Sequence, residues 1–347
     1  MRRAWLAAAV VWLAGCGGVG YVARVGWAEA RLLWRREPIA DVLARTDLEP
    51  TLRERLELAL AVRRFAADEL GLTVGDSYAT FAEVDPGATV WVLSAARRDR
   101  LEAYTWWYPI VGRAPYRGFF DRPAGEAAGR RLAAQGLDVD VREAAAFSTL
   151  GWFADPLLST TARESPVALA ETILHELWHA TLYAPGASAF NESSASFAGH
   201  RGAIAFFCDG PGASPPRCAT AQARWRQLRR RGAVLCRLAD GLRRMYARGL
   251  PPGARERGRA WLAGRADAAL AARGVGTSGE LLPPNNARLL GELVYVTRLD
   301  AFDALAPAGT DLRSALAALR ERAGKERDPF VAVDAFRKLQ NAPRTLD

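Results

Sequence analysis

Lysine, histidine and cysteine are all scarce in this chain of 347 residues, which has 47 lysines and arginines together but only three histidines and four cysteines. Only Lys325 and Lys338 are lysines, so arginine supplies nearly all of the positive charge behind a formal net charge of +9. A basic balance can suit nucleic acid or anionic lipid. Because acidic residues are interspersed, however, the one tight basic run, 224–231, is more typical of a solvated helix face. We therefore expect no nucleic-acid partner.

The N-terminal apolar stretch, 4–14, is too short to cross a bilayer and follows two arginines, as in a secretory signal peptide. It ends in Leu13-Ala14-Gly15-Cys16, which resembles the lipobox of bacterial lipoproteins. Cleavage before Cys16 would leave an acylated thiol that anchors the chain to a membrane by its lipid. We therefore predict a signal peptide at 1–15. Because no aspartate follows Cys16, we expect the outer membrane, facing the periplasm, rather than the inner membrane.

The three remaining cysteines would lie in a compartment where disulfides persist. Cys208 and Cys218 bracket a Gly/Pro-rich segment, and this spacing suits a disulfide that closes the loop and leaves Cys236 unpaired. Three buried free thiols are the alternative. No cysteine belongs to a CxxC pair, which argues against a cysteine-based zinc site.

The apolar pattern predicts an α+β, helix-rich fold. A clear amphipathic helix covers 51–71, and aromatic and β-branched residues at 77–84, 89–96 and 138–143 favour strands. From 165 onward the pattern is almost wholly helical and includes one helix over 285–305. We expect a single domain at 16–347, with a small sheet within about 70–160 and a helical part at about 165–347.

All three histidines fall between 175 and 200, and two of them form the motif His175-Glu176-x-x-His179. Ser165-Pro166 predicts a helix start and Pro185-Gly186 a stop, so both histidines lie in the helix, one turn apart on the same face. Two imidazoles so placed can hold one cation, and Glu176 is placed to act as a general base on water. Chance produces this pattern on the order of once in a thousand such sequences. We predict one Zn²⁺ per chain, since zinc accepts imidazole nitrogen and carboxylate oxygen.

A catalytic zinc ion usually has three protein ligands, and the segment after His179 offers Glu192 and His200. A short connection makes the two successive helices antiparallel neighbours, which brings the start of the second helix back to the end of the first. Glu192 can therefore reach the metal beside His179, and we predict it as the third ligand. His200, two turns further on, remains an alternative as a ligand, a transition-state donor or a buried structural histidine.

His175-Glu176-Leu177-Trp178-His179 followed by Asn191-Glu192 resembles the gluzincin pattern, in which a carboxylate on a following helix completes the metal site. Most of the chain is also similar to a family of bacterial lipoproteins labelled zinc aminopeptidases. The similarity rests on the lipobox, "YPIVGRAPYRGFF", "AFSTLGWFADPLL" and "PPNNARLLGELVYV". This resemblance implies a zinc-dependent peptidase, namely an aminopeptidase, that acts on peptide or protein substrates.

The resemblance also suggests roles for residues outside the motif. An edge strand before the zinc helix binds the substrate backbone in gluzincins, and 146–158 is the segment that precedes it here. Tyr295 is our choice for a hydrogen-bond donor to the tetrahedral oxyanion, with Tyr183 as its competitor. No role is assigned to 112–120. Two other functions stay open: a non-catalytic metal-binding or structural envelope lipoprotein, and an endopeptidase that acts on folded envelope proteins.

Overall fold

The computed structural model describes residues 34–84, 90–108, 112–119, 121–143, 155–307 and 310–334. Cys16 and the predicted signal peptide lie outside these ranges. Within them the fold is α+β and helix-rich, with small sheets in the N-terminal half and helices in the C-terminal half, as predicted. In the described ranges, no helix combines the length and the apolar character needed to cross a membrane.

The strands are short and lie in the N-terminal half. They are β1 (Glu37–Pro38), β2 (Thr80–Ala82), β3 (Trp91–Arg97), β4 (Trp106–Tyr108), β5 (Gly112–Ala114), β6 (Tyr116–Phe119), β7 (Leu137–Glu143) and β8 (Leu157–Leu158).

The helices make up most of the described chain. They are α1 (Ile39–Leu43), α2 (Pro50–Asp68), α3 (Arg122–Ala134), α4 (Ser159–Ala162), α5 (Pro166–Thr181), α6 (Ser188–Cys208), α7 (Pro215–Tyr246), α8 (Pro252–Ala272), α9 (Asn286–Val296), α10 (Leu299–Asp303) and α11 (Leu312–Ala323).

The sheet that matters most for the site has the strand order β6–β3–β7 and is antiparallel throughout. Helix α3 covers one face, where Gly129 lets the helix approach Val139 and Leu93. Helix α9 is tied to the other face by Asn286. Its backbone N–H donates to the Asp138 carboxylate at 2.7 Å, and its side chain donates to the Arg97 carbonyl at 2.8 Å. The sheet therefore fixes where α9 begins.

Two smaller sheets complete the strand pairing. β1 pairs with β2 in the antiparallel sense, β2 pairs with β8 in the parallel sense, and β4 pairs with β5. The β8 strand leads directly into α4 and then α5. It therefore connects the first small sheet to the helix that carries the histidine motif.

Helices α5 and α6 form the centre of the main core. Trp178 is fully buried there, and its indole N–H donates to the Ser194 hydroxyl at 2.9 Å. Small residues allow the two helices to pack closely. A Cβ on Gly199 would lie 2.7 Å from the Glu171 carbonyl oxygen, so any side chain at position 199 would push the helices apart.

The predicted single helix over 285–305 is wrong. The chain forms α9 and α10 instead, and the break falls at Arg298, which has a positive φ of 57°. The N–H of Thr297 leaves the helical pattern to donate to the Ser193 hydroxyl at 2.9 Å. A tertiary contact therefore ends a segment whose apolar periodicity continues across the break.

Candidate metal centre

Helix α5 begins and ends close to the predicted residues. The Ser165 hydroxyl accepts the Ala168 N–H at 3.4 Å and Pro166 occupies the first turn, so the start has a capping side chain and a residue that needs no hydrogen-bond acceptor. The side chains of His175 and His179 project from the same face. Their rings are 4.8 Å apart, as expected for positions one turn apart.

The loop between α5 and α6 is held in shape by Asn191. Its side-chain oxygen accepts the Ala184 N–H at 2.9 Å, and its side-chain amide donates to the Ala184 carbonyl at 2.9 Å. This pair of hydrogen bonds fixes the start of α6 against the end of α5. Since Glu192 is the next residue, Asn191 helps to set its position. The sequence pattern predicts Glu192 at the start of this helix. In the structure α6 begins at Ser188, so Glu192 lies in its second turn.

Three ligand atoms converge between the helices. The Nε2 atoms of His175 and His179 are 3.2 Å apart, and the Glu192 Oε2 atom lies 3.2 Å from the first and 3.5 Å from the second. Within the described ranges, these three residues are the one group of histidine, cysteine or acidic side chains with ligand atoms arranged to hold a metal ion. All three side chains are partly buried, which limits but does not abolish solvent access.

The three separations fit a tetrahedral zinc site. Imidazole nitrogen and carboxylate oxygen bind zinc at about 2.0 to 2.2 Å, so two ligands at a tetrahedral angle lie about 3.3 to 3.5 Å apart. The observed separations of 3.2, 3.2 and 3.5 Å lie within about 0.1 Å of this range. The donor set of two imidazoles and one carboxylate is also suitable for zinc and leaves a fourth position open.

The charges at the centre are arranged for cation binding. Burial alone would raise the pKa of the Glu192 carboxyl, but hydrogen bonds from His175 and His179 outweigh burial and lower it to about 2. Burial alone would lower the pKa of His179, but its hydrogen bond with Glu192 raises it. Glu192 is therefore ionised at neutral pH, and a bound cation and a proton would compete for His179.

Glu176 lies beside this group and is half-buried. Its negative charge adds to burial in raising the pKa of Tyr78 well above its ordinary value. Tyr78 is buried, has a positive φ of 58° and precedes β2. Nothing in the sequence marks Tyr78, because it is far from the motif in the chain and approaches Glu176 only in the folded structure.

Tyr295, on α9, faces the same centre. Its ring lies 6.2 Å from that of His175 and is 40% exposed. Burial, reinforced by the negative charge of Glu192, raises the pKa of Tyr295 to about 12, so its hydroxyl keeps a proton to donate at neutral pH. The competing residue, Tyr183, lies in the loop after α5 with its side chain half exposed. The structure thus brings Tyr295, by ring contact, to a histidine of the motif.

His200 points to a different group of side chains. Its Nδ1 atom lies 2.8 Å from Glu171 Oε1, and its ring stacks on Trp225 at 5.6 Å. Glu171 also accepts a hydrogen bond of 2.7 Å from Arg224. His200 thus lies beside the Glu171–Arg224 ion pair, where Glu171 is one helical turn before His175 on α5, and it does not belong to the group of converging ligand atoms.

The other predicted segments are described only in part. From 146–158, the structure describes Asp155 to Leu158, which includes β8; the remainder lies outside the described residues. From 112–120 it describes β5 and β6. Strand β6 forms the edge of its sheet in the described part of the chain. Cys208 and Cys218 form a disulfide in the structure, and Cys236 is a half-buried free thiol.

Comparisons with known proteins give one match. The sequence model of a family described as "Putative aminopeptidase" matches residues 20–328, which cover most of the chain and include every residue of the centre described above. No curated protein and no solved structure matches the chain.

Proposed function

The chain belongs to the family described as "Putative aminopeptidase", and from that premise we propose that it is a zinc-dependent peptide-bond hydrolase. We propose further that it is an aminopeptidase of the gluzincin type, anchored in the bacterial cell envelope by a lipid. The family match itself supports a peptidase-like function that acts on peptide substrates. The zinc ion, the roles of single residues and the lipid anchor go beyond the family match and are our proposal.

One observation carries the metal assignment. The ligand atoms of His175, His179 and Glu192 lie 3.2 to 3.5 Å apart, at the separations that tetrahedral zinc needs. This triangle of two imidazoles and a carboxylate offers a cation three converging donor atoms in a partly buried position. We therefore assign these three residues as the ligands of one zinc ion per chain.

The zinc ion, when bound, would supply a Lewis acid for the scissile carbonyl and would lower the pKa of water. Glu176 then acts as the general base. It takes a proton from the attacking water, whose oxygen bonds to the carbonyl carbon, and delivers that proton to the leaving amine as the carbon–nitrogen bond breaks. Its half-buried position beside the ligands suits both transfers.

Tyr295 acts as the donor to the oxyanion. Its hydroxyl remains protonated at neutral pH because its pKa is raised to about 12, and its ring lies 6.2 Å from that of His175. A preorganised donor of this kind stabilises the charge that develops on the carbonyl oxygen in the transition state. The Ser193 hydroxyl accepts the Thr297 N–H at 2.9 Å and so helps to hold the end of α9 in place.

The anchor is proposed from the sequence, since Cys16 lies outside the described residues. The support is the basic start, the short apolar stretch and the small residues before Cys16, in the order that a lipoprotein signal requires. A lipid on Cys16 would hold the enzyme at a membrane surface, and we place it at the outer membrane facing the periplasm.

A peptide library with free and with blocked N-termini, assayed with and without a chelator, tests this proposal. We expect hydrolysis of peptides with free N-termini, its loss on chelation and its recovery with added zinc. Hydrolysis of blocked peptides at equal rates would show an endopeptidase instead. One bound zinc ion without turnover of any peptide would favour a metal-binding lipoprotein.

A further inference from the structure

Arg142 extends the site beyond the metal ligands. It lies near the end of β7, four residues after Asp138, so both side chains project from the same face of the sheet. The Asp138 carboxylate accepts the Asn286 N–H at the start of α9, which shows that this face is the one that α9 covers. Arg142 is therefore directed at α9 from the sheet.

The contact with α9 is close. A Cβ on Gly291 would lie 3.1 Å from Arg142 Nη1 and 3.2 Å from Nη2, so the absence of a side chain at position 291 makes room for the guanidinium. Gly291 and Tyr295 are four residues apart and share a face of α9. Arg142 thus lies one helical turn from Tyr295. The positive charge of Arg142 acts on Tyr295, where it opposes the rise in pKa that burial causes.

Arg142 is partly buried, and none of the carboxylates in the described ranges forms an ion pair with it. In the strand register, Val92 lies opposite Arg142 and Gly118 lies opposite Val92. Gly118, Val92 and Arg142 therefore form one cross-strand row, and the edge strand β6 contributes no side chain to it. A guanidinium presents five N–H donors and no acceptor, so it can bind an anion that enters beside α9.

We infer that Arg142 binds a carboxylate of the peptide substrate, on the side of Tyr295 away from the metal ligands. This inference rests on the proposed peptidase function. Four residues of α9 rise about 6 Å. Since the Tyr295 ring lies a further 6.2 Å from that of His175, Arg142 lies on the order of 10 Å from the metal ligands. An extended chain advances about 3.3 Å per residue, so the C-terminal carboxylate of a peptide of two to four residues can reach both sites. An acidic side chain of a longer peptide offers the same chemistry.

Binding without turnover tests the inference separately from the proposed function. In the zinc-loaded Glu176→Gln protein, calorimetry compares a tripeptide acid, the same tripeptide amide and an amidated tripeptide that carries one glutamate. A charge-assisted hydrogen bond contributes about 1.5 to 3 kcal/mol, so we expect the acid to bind roughly 10- to 100-fold more tightly than the amide. Recovery of affinity by the glutamate peptide would identify a side-chain carboxylate as the ligand, and its absence would identify the C-terminus.

Arg142→Gln in the same background should reduce the acid-to-amide ratio to near one, and Arg142→Lys should retain part of it. Arg131→Gln is the matched control. Arg131 is exposed on α3, which covers the opposite face of the sheet, and its substitution should leave the ratio unchanged. Equal binding of acid and amide by the parent, or a ratio that survives Arg142→Gln, would overturn the inference. Failure of the wild type to hydrolyse any peptide would instead count against the proposed function.

Discussion

The Ser193 hydroxyl donates a hydrogen bond of 2.7 Å to the Val294 carbonyl and so joins the two helices that carry Glu192 and Tyr295. Ser193 directly follows the proposed ligand, and Val294 directly precedes the proposed donor. The same hydroxyl oxygen accepts the Thr297 N–H at 2.9 Å. One fully buried serine thus fixes the end of α9 relative to α6.

Ser193→Ala should therefore lower kcat through Tyr295. A small displacement of a positioned group can lower the reaction rate by up to about 100-fold. We therefore expect kcat to fall about 10- to 100-fold while the zinc content stays unchanged. Tyr295→Phe should cost roughly 100-fold or more as the loss of an oxyanion donor. If Ser193 acts through Tyr295, the double variant loses little beyond Tyr295→Phe alone. A fully additive loss would show that Ser193 positions something else.

Alanine at His175, at His179 or at Glu192 should weaken zinc binding by more than about 100-fold. Replacing even a residue that only hydrogen-bonds to a metal ligand lowers metal affinity about 10- to 100-fold. Metal content by mass spectrometry after dialysis against buffered zinc measures this. His200→Ala is the control and should keep its zinc, because His200 Nδ1 lies beside Glu171. Full zinc in Glu192→Ala together with loss in His200→Ala would make His200 the third ligand.

Glu176→Gln should separate metal binding from catalysis. Glutamine keeps the shape of the side chain but cannot accept a proton from water at neutral pH. We expect about one zinc ion per chain, as in the wild type, and a fall in kcat of several orders of magnitude. Metal content and turnover should be measured on the same sample. An active Glu176→Gln protein would remove the proposed mechanism and favour a metal-binding lipoprotein.

Cys16→Ser should release the protein from the membrane fraction into the soluble fraction, because acylation at that thiol is the proposed anchor. Mass spectrometry of the wild-type N-terminal peptide should find the acyl chains. Cys236→Ser is the control, since Cys236 is a half-buried free thiol in α7 and should not affect fractionation. A Cys16→Ser protein that stays with the membrane, with no lipid on the wild type, would refute the anchor.

Protein exported to an oxidising compartment should contain the Cys208–Cys218 disulfide, which closes a loop with a sequence separation of 10 residues. Peptide mapping without reductant should recover the linked pair, and two alkylated thiols would contradict it. A loop of this size is expected to add about 2 to 3 kcal/mol to the free energy of unfolding. Denaturant titration of the Cys208→Ala/Cys218→Ala protein against the wild type measures that difference.

Local spacing was sufficient to predict the helix of the motif. The capping by Ser165 and the pairing of His175 with His179 follow from the period of the α-helix, which depends only on neighbouring residues. The same holds for the α+β class, since strand and helix patterns occupy different halves of the chain. The sequence therefore determined two of the three proposed ligands and the proposed base.

The choice between Glu192 and His200 depended on tertiary structure. The sequence favoured Glu192 and kept His200 as the alternative. The close packing of α5 on α6 at Gly199, with the loop held by Asn191, places Glu192 at the imidazoles and His200 at Glu171. Tyr78, Arg142 and the break at Arg298 were likewise invisible in the sequence. Each depends on contacts between segments that are far apart in the chain, and a pattern of neighbouring residues carries no information about such contacts.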